Sequence, residues 1–240
     1  MIKNKLFIGM LILFSFLPVT SMLGQEKQPR YTLMGLGDSI TEGGSNFSSY
    51  LYPLWHKLSS AGYDFHFIGP RESICPIGNL AHCGFSGKSV EFLDSITDSI
   101  YHKYPSDFVL IHAGHNHSVE EKPVLGMIRA YRSIIHKLIA INPEVHILLA
   151  KAIPSGKLPK YSYIPELNRE IEVMVASMHL KQVVLVDQYK NFDWQTMTIQ
   201  DHVHPNDLGA EQMASVWFDS LSHQLKDLPA NLRVAFSSHK

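Results

Sequence analysis

The sequence predicts a three-layer α/β/α fold in a single domain: a doubly wound, mainly parallel sheet with helices on both faces. Three observations carry this. Short apolar runs alternate with longer helical patterns, the signature of successive βαβ units. The chain has 240 residues, 45% hydrophobic and 18% charged, which suits one α/β domain better than two. The polar segments bearing chemically useful side chains each follow a strand, and sites in open α/β sheets lie beyond the carboxyl ends of the strands.

Each element has its own justification. Residues 31–36 form an apolar strand ended by Gly37, and 65–68 a short strand closed by Gly69 and Pro70. Residues 50–58 read as a helix. So do 90–101, where Val90, Phe92, Leu93, Ile96 and Ile100 fall close to one face. Residues 108–111 are a strand of the fully buried kind. Residues 124–141 make a long helix stopped by Asn142-Pro143, and 145–150 the next strand. A helix over 164–178, a strand over 183–186 and a last helix over 208–221 complete the pattern. The segment after Gly69 and Pro70, as far as Gly87, reads as loop, and 230–240 as a loose tail.

The first residues are of a different kind. Lys3 and Lys5 precede an apolar stretch over 6–17, followed by Pro18 and small residues near Thr20, Ser21 and Gly24. This pattern is that of an export signal over 1–24, leaving 25–240 as the folded domain. The stretch is shorter than the roughly 20 residues a bilayer-spanning helix needs, so no stable membrane anchor is expected. The expected location is secreted or periplasmic. In an oxidising compartment Cys75 and Cys83, close together beside Pro76, Gly78 and Gly84, are expected to form a disulfide; the alternative is two free thiols.

Composition excludes some classes. A formal net charge of -1 and a pI near 6.9 provide no global field for nucleic acid. Gly35-Leu36-Gly37 lacks the third glycine of a dinucleotide fingerprint, since Ile40 stands there, and there is no phosphate-binding Walker loop. Ser39 is followed at the second place by Thr41, not glycine, so the nucleophile-elbow pattern fails as well.

What survives is a serine-hydrolase constellation. Ser39 follows a strand in the run Gly-Leu-Gly-Asp-Ser-Ile-Thr, whose glycines permit a sharp turn; taken alone, it reads more readily as the N-cap of a helix. Asp201 and His204 are three residues apart, so one turn can bring the carboxylate beneath the imidazole. His202 is the rival base. His204 is preferred because Pro205 biases it away from helical angles. Taken alone, this segment could equally be a helix-capping aspartate beside two surface histidines. His112, His115 and His117 raise the possibility of zinc, but no carboxylate or cysteine partner is apparent in the sequence, and neither metal nor cofactor is expected.

Four segments, in order, resemble the blocks of the SGNH/GDSL hydrolases across nearly the whole mature chain. Gly37-Asp38-Ser39-Ile40 resembles the first block, which implies Ser39 as nucleophile and its backbone N–H as an oxyanion donor. Phe85-Ser86-Gly87-Lys88-Ser89 resembles the second, implying a donor at the Gly87 N–H. Gly114-His115-Asn116 resembles the third, implying the Asn116 side chain as a further donor. Asp201-His202-Val203-His204-Pro205 resembles the last, with His204 as base and Asp201 orienting it. The third block usually runs Gly-x-Asn-Asp, and here His117 takes the aspartate's place. That aspartate usually shapes the loop, so activity is expected to survive.

The resemblance implies a flavodoxin-like arrangement and an acyl-enzyme mechanism. It is nearest to small members that remove acetyl groups from carbohydrate, so the expected partner is an acetylated sugar or another small ester. Trp55, Tyr161, Tyr163 and Trp194 are candidates for sugar stacking, although core or ordinary surface packing accounts for such residues as readily. A lysophospholipid or thioester substrate, a silent carbohydrate-binding protein and a metal-dependent hydrolase are the alternatives.

Overall fold

The computed structural model describes residues 31–227. The proposed signal over 1–24 and the tail over 230–240 lie outside them. Chain order is β1 (Tyr31–Gly37), α1 (Ser39–Glu42), α2 (Leu51–Ser60), β2 (Phe65–Phe67), β3 (Arg71–Cys75), β4 (Gly78–Gly84), α3 (Val90–Tyr101), β5 (Phe108–His112), a 3-10 turn (Val119–Glu121), α4 (Val124–Ile141), β6 (His146–Ala150), α5 (Ile164–Met178), β7 (Val183–Val186), α6 (Trp194–Met197) and α7 (Asp207–Asp227).

The sheet runs β3-β4-β1-β5-β6-β7, with β2 also paired to β1. All pairings are parallel except β3 with β4. One edge of β1 is shared: Tyr31 to Leu33 pair with β2, and Leu36 and Gly37 pair with the end of β4. Central β5 is buried at every position, as expected of a parallel strand covered on both faces.

Two cores lie on opposite faces. One packs Leu93, Met127, Tyr131, Ile134 and Leu167 of α3, α4 and α5 against Met34, Val109 and Ile147. The other packs Leu54, Trp217 and Leu221 of α2 and α7 against Leu33, Leu110 and Leu148. In α4 the buried residues Val124, Met127, Tyr131, Ile134, Ile135 and Leu138 recur at three- and four-residue intervals, making the apolar stripe that docks it. The helix ends at Asn142, whose side chain donates to the Ser106 carbonyl.

The loop expected before Gly87 contains an antiparallel hairpin, β3-β4, turned over Pro76 and Ile77. This corrects the expectation for Cys75 and Cys83, whose thiols are both free. Cys75 is paired with Gly78, and Cys83 lies five residues further along β4, about 17 Å at a strand's rise per residue. A disulfide needs Cα atoms within about 7 Å. The two side chains also face different cores: Cys83 belongs to the α3–α4 side, while Cys75 packs against the α2–α7 side.

Candidate functional site

The site lies at the carboxyl end of the sheet. β1 ends at Gly37, the chain turns, and Asp38 caps the short helix α1, its Oδ1 accepting from the Ile40 N–H at 3.0 Å. Ser39 is thus the first residue of a helix, with the capping role taken by its neighbour. The turn lies against the end of β5: a Cβ on Gly37 would come within 2.2 Å of the His112 carbonyl oxygen, so the approach requires glycine.

The segment carrying Asp201 and His204 is folded back on itself. Thr198 bridges to Pro205, the Ile199 N–H donates to the His204 carbonyl at 2.9 Å, and the His202 N–H donates to the Ile199 carbonyl at 3.0 Å. Asp201 Oδ1 accepts from the Val203 and His204 N–H groups at 2.9 and 3.0 Å. Its Oδ2 lies 2.5 Å from His204 Nδ1, and His204 Nε2 lies 2.8 Å from Ser39 Oγ. Partial burial raises the Asp201 carboxyl, but its bonds with His204 and Val203 outweigh this and hold it below the usual range. An ionised Asp201 only accepts, which places a proton on Nδ1 and leaves the Nε2 lone pair facing Ser39. His202 stands apart, at φ 57°, with its ring edge-on to Trp194 at 5.2 Å.

Phe47 completes the surroundings of His204, its ring stacked on the imidazole with centroids 4.1 Å apart. The Phe47 segment is tied to the histidine segment where the Ser48 N–H donates to the Pro205 carbonyl at 3.2 Å. Beyond Phe47 opens a cavity of about 830 Å³, lined by Tyr52, His56, Ile74, Leu80 and Glu211 among others. A second, of about 500 Å³, lies on the Trp194 side between Tyr161, Tyr189 and Phe192. Ser39 lines neither cavity and is only 6% exposed. Of the aromatics considered for stacking, Tyr161 and Tyr163 are buried, and Trp55 stacks on Tyr52.

Gly87 and Asn116 sit on adjoining loops. The Phe85 N–H donates to the Gly37 carbonyl at 2.9 Å, fixing the loop after β4 to the end of β1. Gly87 takes φ 73°, a left-handed conformation that favours glycine, with open space where a side chain would stand. Asn116 donates through Nδ2 to the Lys88 carbonyl at 3.0 Å, which uses one of its two amide hydrogens. Glu42 braces the same loop, accepting from the Ser86 N–H at 2.6 Å and pairing with Arg71 on the hairpin.

The three histidines considered for a metal go separate ways. His112 and His115 are buried with rings 6.0 Å apart, and burial depresses them to about 3 and 4 respectively. His117 is held between two glutamates. Among the described residues a second serine–histidine contact joins Ser73 Oγ to His82 Nε2 at 2.8 Å. There the polarity is reversed. His82 Nδ1 accepts from the Gly84 N–H, so Nε2 carries the proton and donates to the serine, and His82 cannot act as its base.

Several site neighbours were not assigned from sequence. Phe47 carries no local signal. Asp38 ahead of Ser39 is a readable N-cap, and Pro76-Ile77-Gly78 is a readable turn signal, although the residues flanking it do not alternate.

Comparison with solved structures extends the picture. A family 3 carbohydrate esterase from Talaromyces cellulolyticus superimposes with a TM-score of 0.73 at 23% identity, over 83% of this chain and 100% of that one. A family 3 carbohydrate esterase from Clostridium thermocellum gives 0.68 at 24% identity, over 82% and 99%. The lipase/acylhydrolase from Enterococcus faecalis gives 0.64 at 17% identity, over 83% and 100%. At these identities the likeness establishes the shared fold. No curated protein matches the chain. The model of the GDSL-like lipase/acylhydrolase family matches residues 36–212, from the end of β1 into α7, and the chain belongs to that family.

Proposed function

We propose that the protein is an exported serine esterase that hydrolyses small acyl esters, acetyl above all, on carbohydrate. The observation that carries this reading is the hydrogen-bonded chain from Asp201 through His204 to Ser39, at 2.5 and 2.8 Å. The Ser39 hydroxyl donates to Nε2, and attack on an ester carbonyl transfers that proton to the imidazole while the acyl carbon bonds to Oγ. Asp201 holds the ring in the required tautomer and balances the charge that forms on it. The protonated His204 then returns its proton to the departing alcohol. Water, deprotonated by His204, hydrolyses the acyl-enzyme and frees Ser39. The Ser39 and Gly87 N–H groups and the second amide hydrogen of Asn116 are the assigned oxyanion donors.

The low exposure of Ser39 favours a short acyl group at the nucleophile. The likeness to two family 3 carbohydrate esterases favours a sugar as the alcohol. Hydrolysis of acetylated xylan and of a p-nitrophenyl ester series by wild type and Ser39→Ala tests the reading. A sharp preference for acetyl that vanishes in the variant is expected. Preference for long chains would move the substrate to lipid, and glycan binding without turnover would leave a binding protein.

A further inference from the structure

His117 stands where the family usually has aspartate, immediately after Asn116. Both of its ring nitrogens meet carboxylates: Nδ1 lies 2.6 Å from Glu121 Oε2, and Nε2 lies 2.9 Å from Glu91 Oε2. A carboxylate only accepts, so both contacts are hydrogen bonds only when both nitrogens carry a proton. A neutral ring has one N–H, and its other nitrogen would direct a lone pair at an oxygen.

The partners lie on the elements that build the oxyanion corner. Glu91 is in the first turn of α3, which begins directly after the Gly87–Ser89 turn, and the neighbouring Asn116 bonds the Lys88 carbonyl in that turn. Glu121 closes the 3-10 turn after the Asn116 loop, its Oε1 accepting from the Ser118 N–H at 2.9 Å. We propose that His117, as a cation bridging Glu91 and Glu121, is a positioning residue that holds Asn116 against the Gly87 turn. The proposal rests on the esterase reading for its effect on turnover, though not for the state of the ring itself.

Burial works against the charge, but the bonds with Glu121 and Glu91 prevail and raise His117 above the ordinary histidine range. The charged groups acting on the ring are Glu91 from α3 and Glu121 from the 3-10 turn. Tyr163, at the start of α5, is the titratable group beside its backbone. A raised histidine keeps its bridge below the ordinary histidine value and loses it as pH rises through the raised one. Turnover is therefore expected to fall on the alkaline side.

Glu121→Gln separates this from a merely structural contact. Its Oε1 can still accept from Ser118, while its Nε2, in place of Oε2, donates to an unprotonated Nδ1. The bridge then survives deprotonation. Removing a charge should shift the titration of His117 to lower pH, yet the alkaline fall in turnover should disappear. An effect of charge alone would move both to lower pH together.

The experiment records the ring nitrogens of His117 by ¹⁵N NMR, the Asn116 side-chain amide signal and kcat against pH, in wild type, Glu121→Gln and His117→Gln. The last variant assigns the ring signals. Expected are two nitrogens that stay protonated above the ordinary histidine value, an Asn116 amide that titrates with His117, and an alkaline loss of about tenfold in wild type only. That is less than the ~10²–10³ typical of deleting an oxyanion donor outright. A His117 ring that deprotonates at or below the ordinary histidine value, an Asn116 signal indifferent to it, or identical alkaline profiles in wild type and Glu121→Gln would overturn the proposal. If no ester were turned over, the esterase reading would fail, and the two NMR signals alone would decide the bridge.

Discussion

The Phe47 ring lies on the His204 imidazole, with centroids 4.1 Å apart and planes inclined by 28°. It separates the imidazole from the 830 Å³ cavity whose wall Phe47 also forms. Gly44 makes room for it, since a Cβ there would meet the Phe47 ring at 2.3 Å. An aromatic pair of this kind contributes ~0.5–1.5 kcal/mol beyond its burial. Phe47→Ala should therefore lower kcat roughly 3–10-fold by loosening the ring, with Phe47→Tyr close to wild type. Steady-state kinetics on p-nitrophenyl acetate measure both, and an unaffected alanine variant would leave Phe47 only a cavity wall.

Asp201 acts on His204 through the tautomer. Asp201→Asn preserves the shape and can still accept from the Val203 N–H, but its amide can present N–H to Nδ1, which turns the Nε2 proton toward Ser39. A loss on the order of 10³–10⁴ in kcat is expected, as for a displaced tautomer in other serine hydrolases. Turnover within tenfold of wild type would assign the orienting role to another group.

Asn116→Ala removes both the assigned oxyanion donor and the tie to the Lys88 carbonyl. The expected cost is ~10²–10³ in kcat. The tie is partly exposed, so its loss should leave the melting temperature within a few degrees. Kinetics and thermal unfolding of the same preparation separate the two effects. A large fall in melting temperature with intact kcat would make Asn116 a loop fastener.

The sequence was most legible where one periodicity ran uninterrupted. The helices Val124–Ile141 and Ile164–Met178 and the strand Val183–Val186 have the bounds read from pattern alone, because a single apolar stripe or run fixes each. Ser39, Asp201 and His204 were singled out by motif, and the fold places them in one hydrogen-bonded chain. The hairpin was missed because the segment is short and partly exposed, with polar Glu72 and Ser73 in one strand and His82 in the other. Phe47 was illegible for a different reason: its contact spans 157 positions, and nothing in Gly-Ser-Asn-Phe-Ser marks it. The carboxylates around His117 lie 26 positions before it and 4 after, so the earlier one is brought there only by packing of α3.

Stability should fall in acid below neutrality. Burial, chiefly, depresses His82 and His115 to about 4 and His112 to about 3. A depressed histidine stabilises the fold above its unfolded value and loses that contribution as pH falls toward the folded value. Between about pH 6.5 and 4 the unfolded chain therefore binds protons at these three positions that the folded chain refuses. Asp38, raised to about 6 by burial, opposes them, since it favours the fold while protonated. His146, also depressed by burial, acts with the other three rings, which leaves the histidines dominant. The melting temperature should drop steadily between pH 6.5 and 4.5, and one that holds or rises would show that these rings are not buried as neutral species.

The two thiols should respond very differently to alkylation. Cys83 is buried at the end of β4, and desolvation pushes its thiol up to about 12, so it offers almost no thiolate in the folded protein. Cys75 is partly exposed beside the β3-β4 turn, with its thiol donating to the Gly78 carbonyl at 3.3 Å. Iodoacetamide at neutral pH without reductant is therefore expected to add one group to the native protein, at Cys75. In denaturant, still without reductant, it should add two. Intact-mass spectrometry followed by peptide mapping reads both outcomes. A chain that takes no label until reduced would mean that the hairpin rearranges to join its cysteines, since the native β3-β4 register holds them about 17 Å apart along the strand.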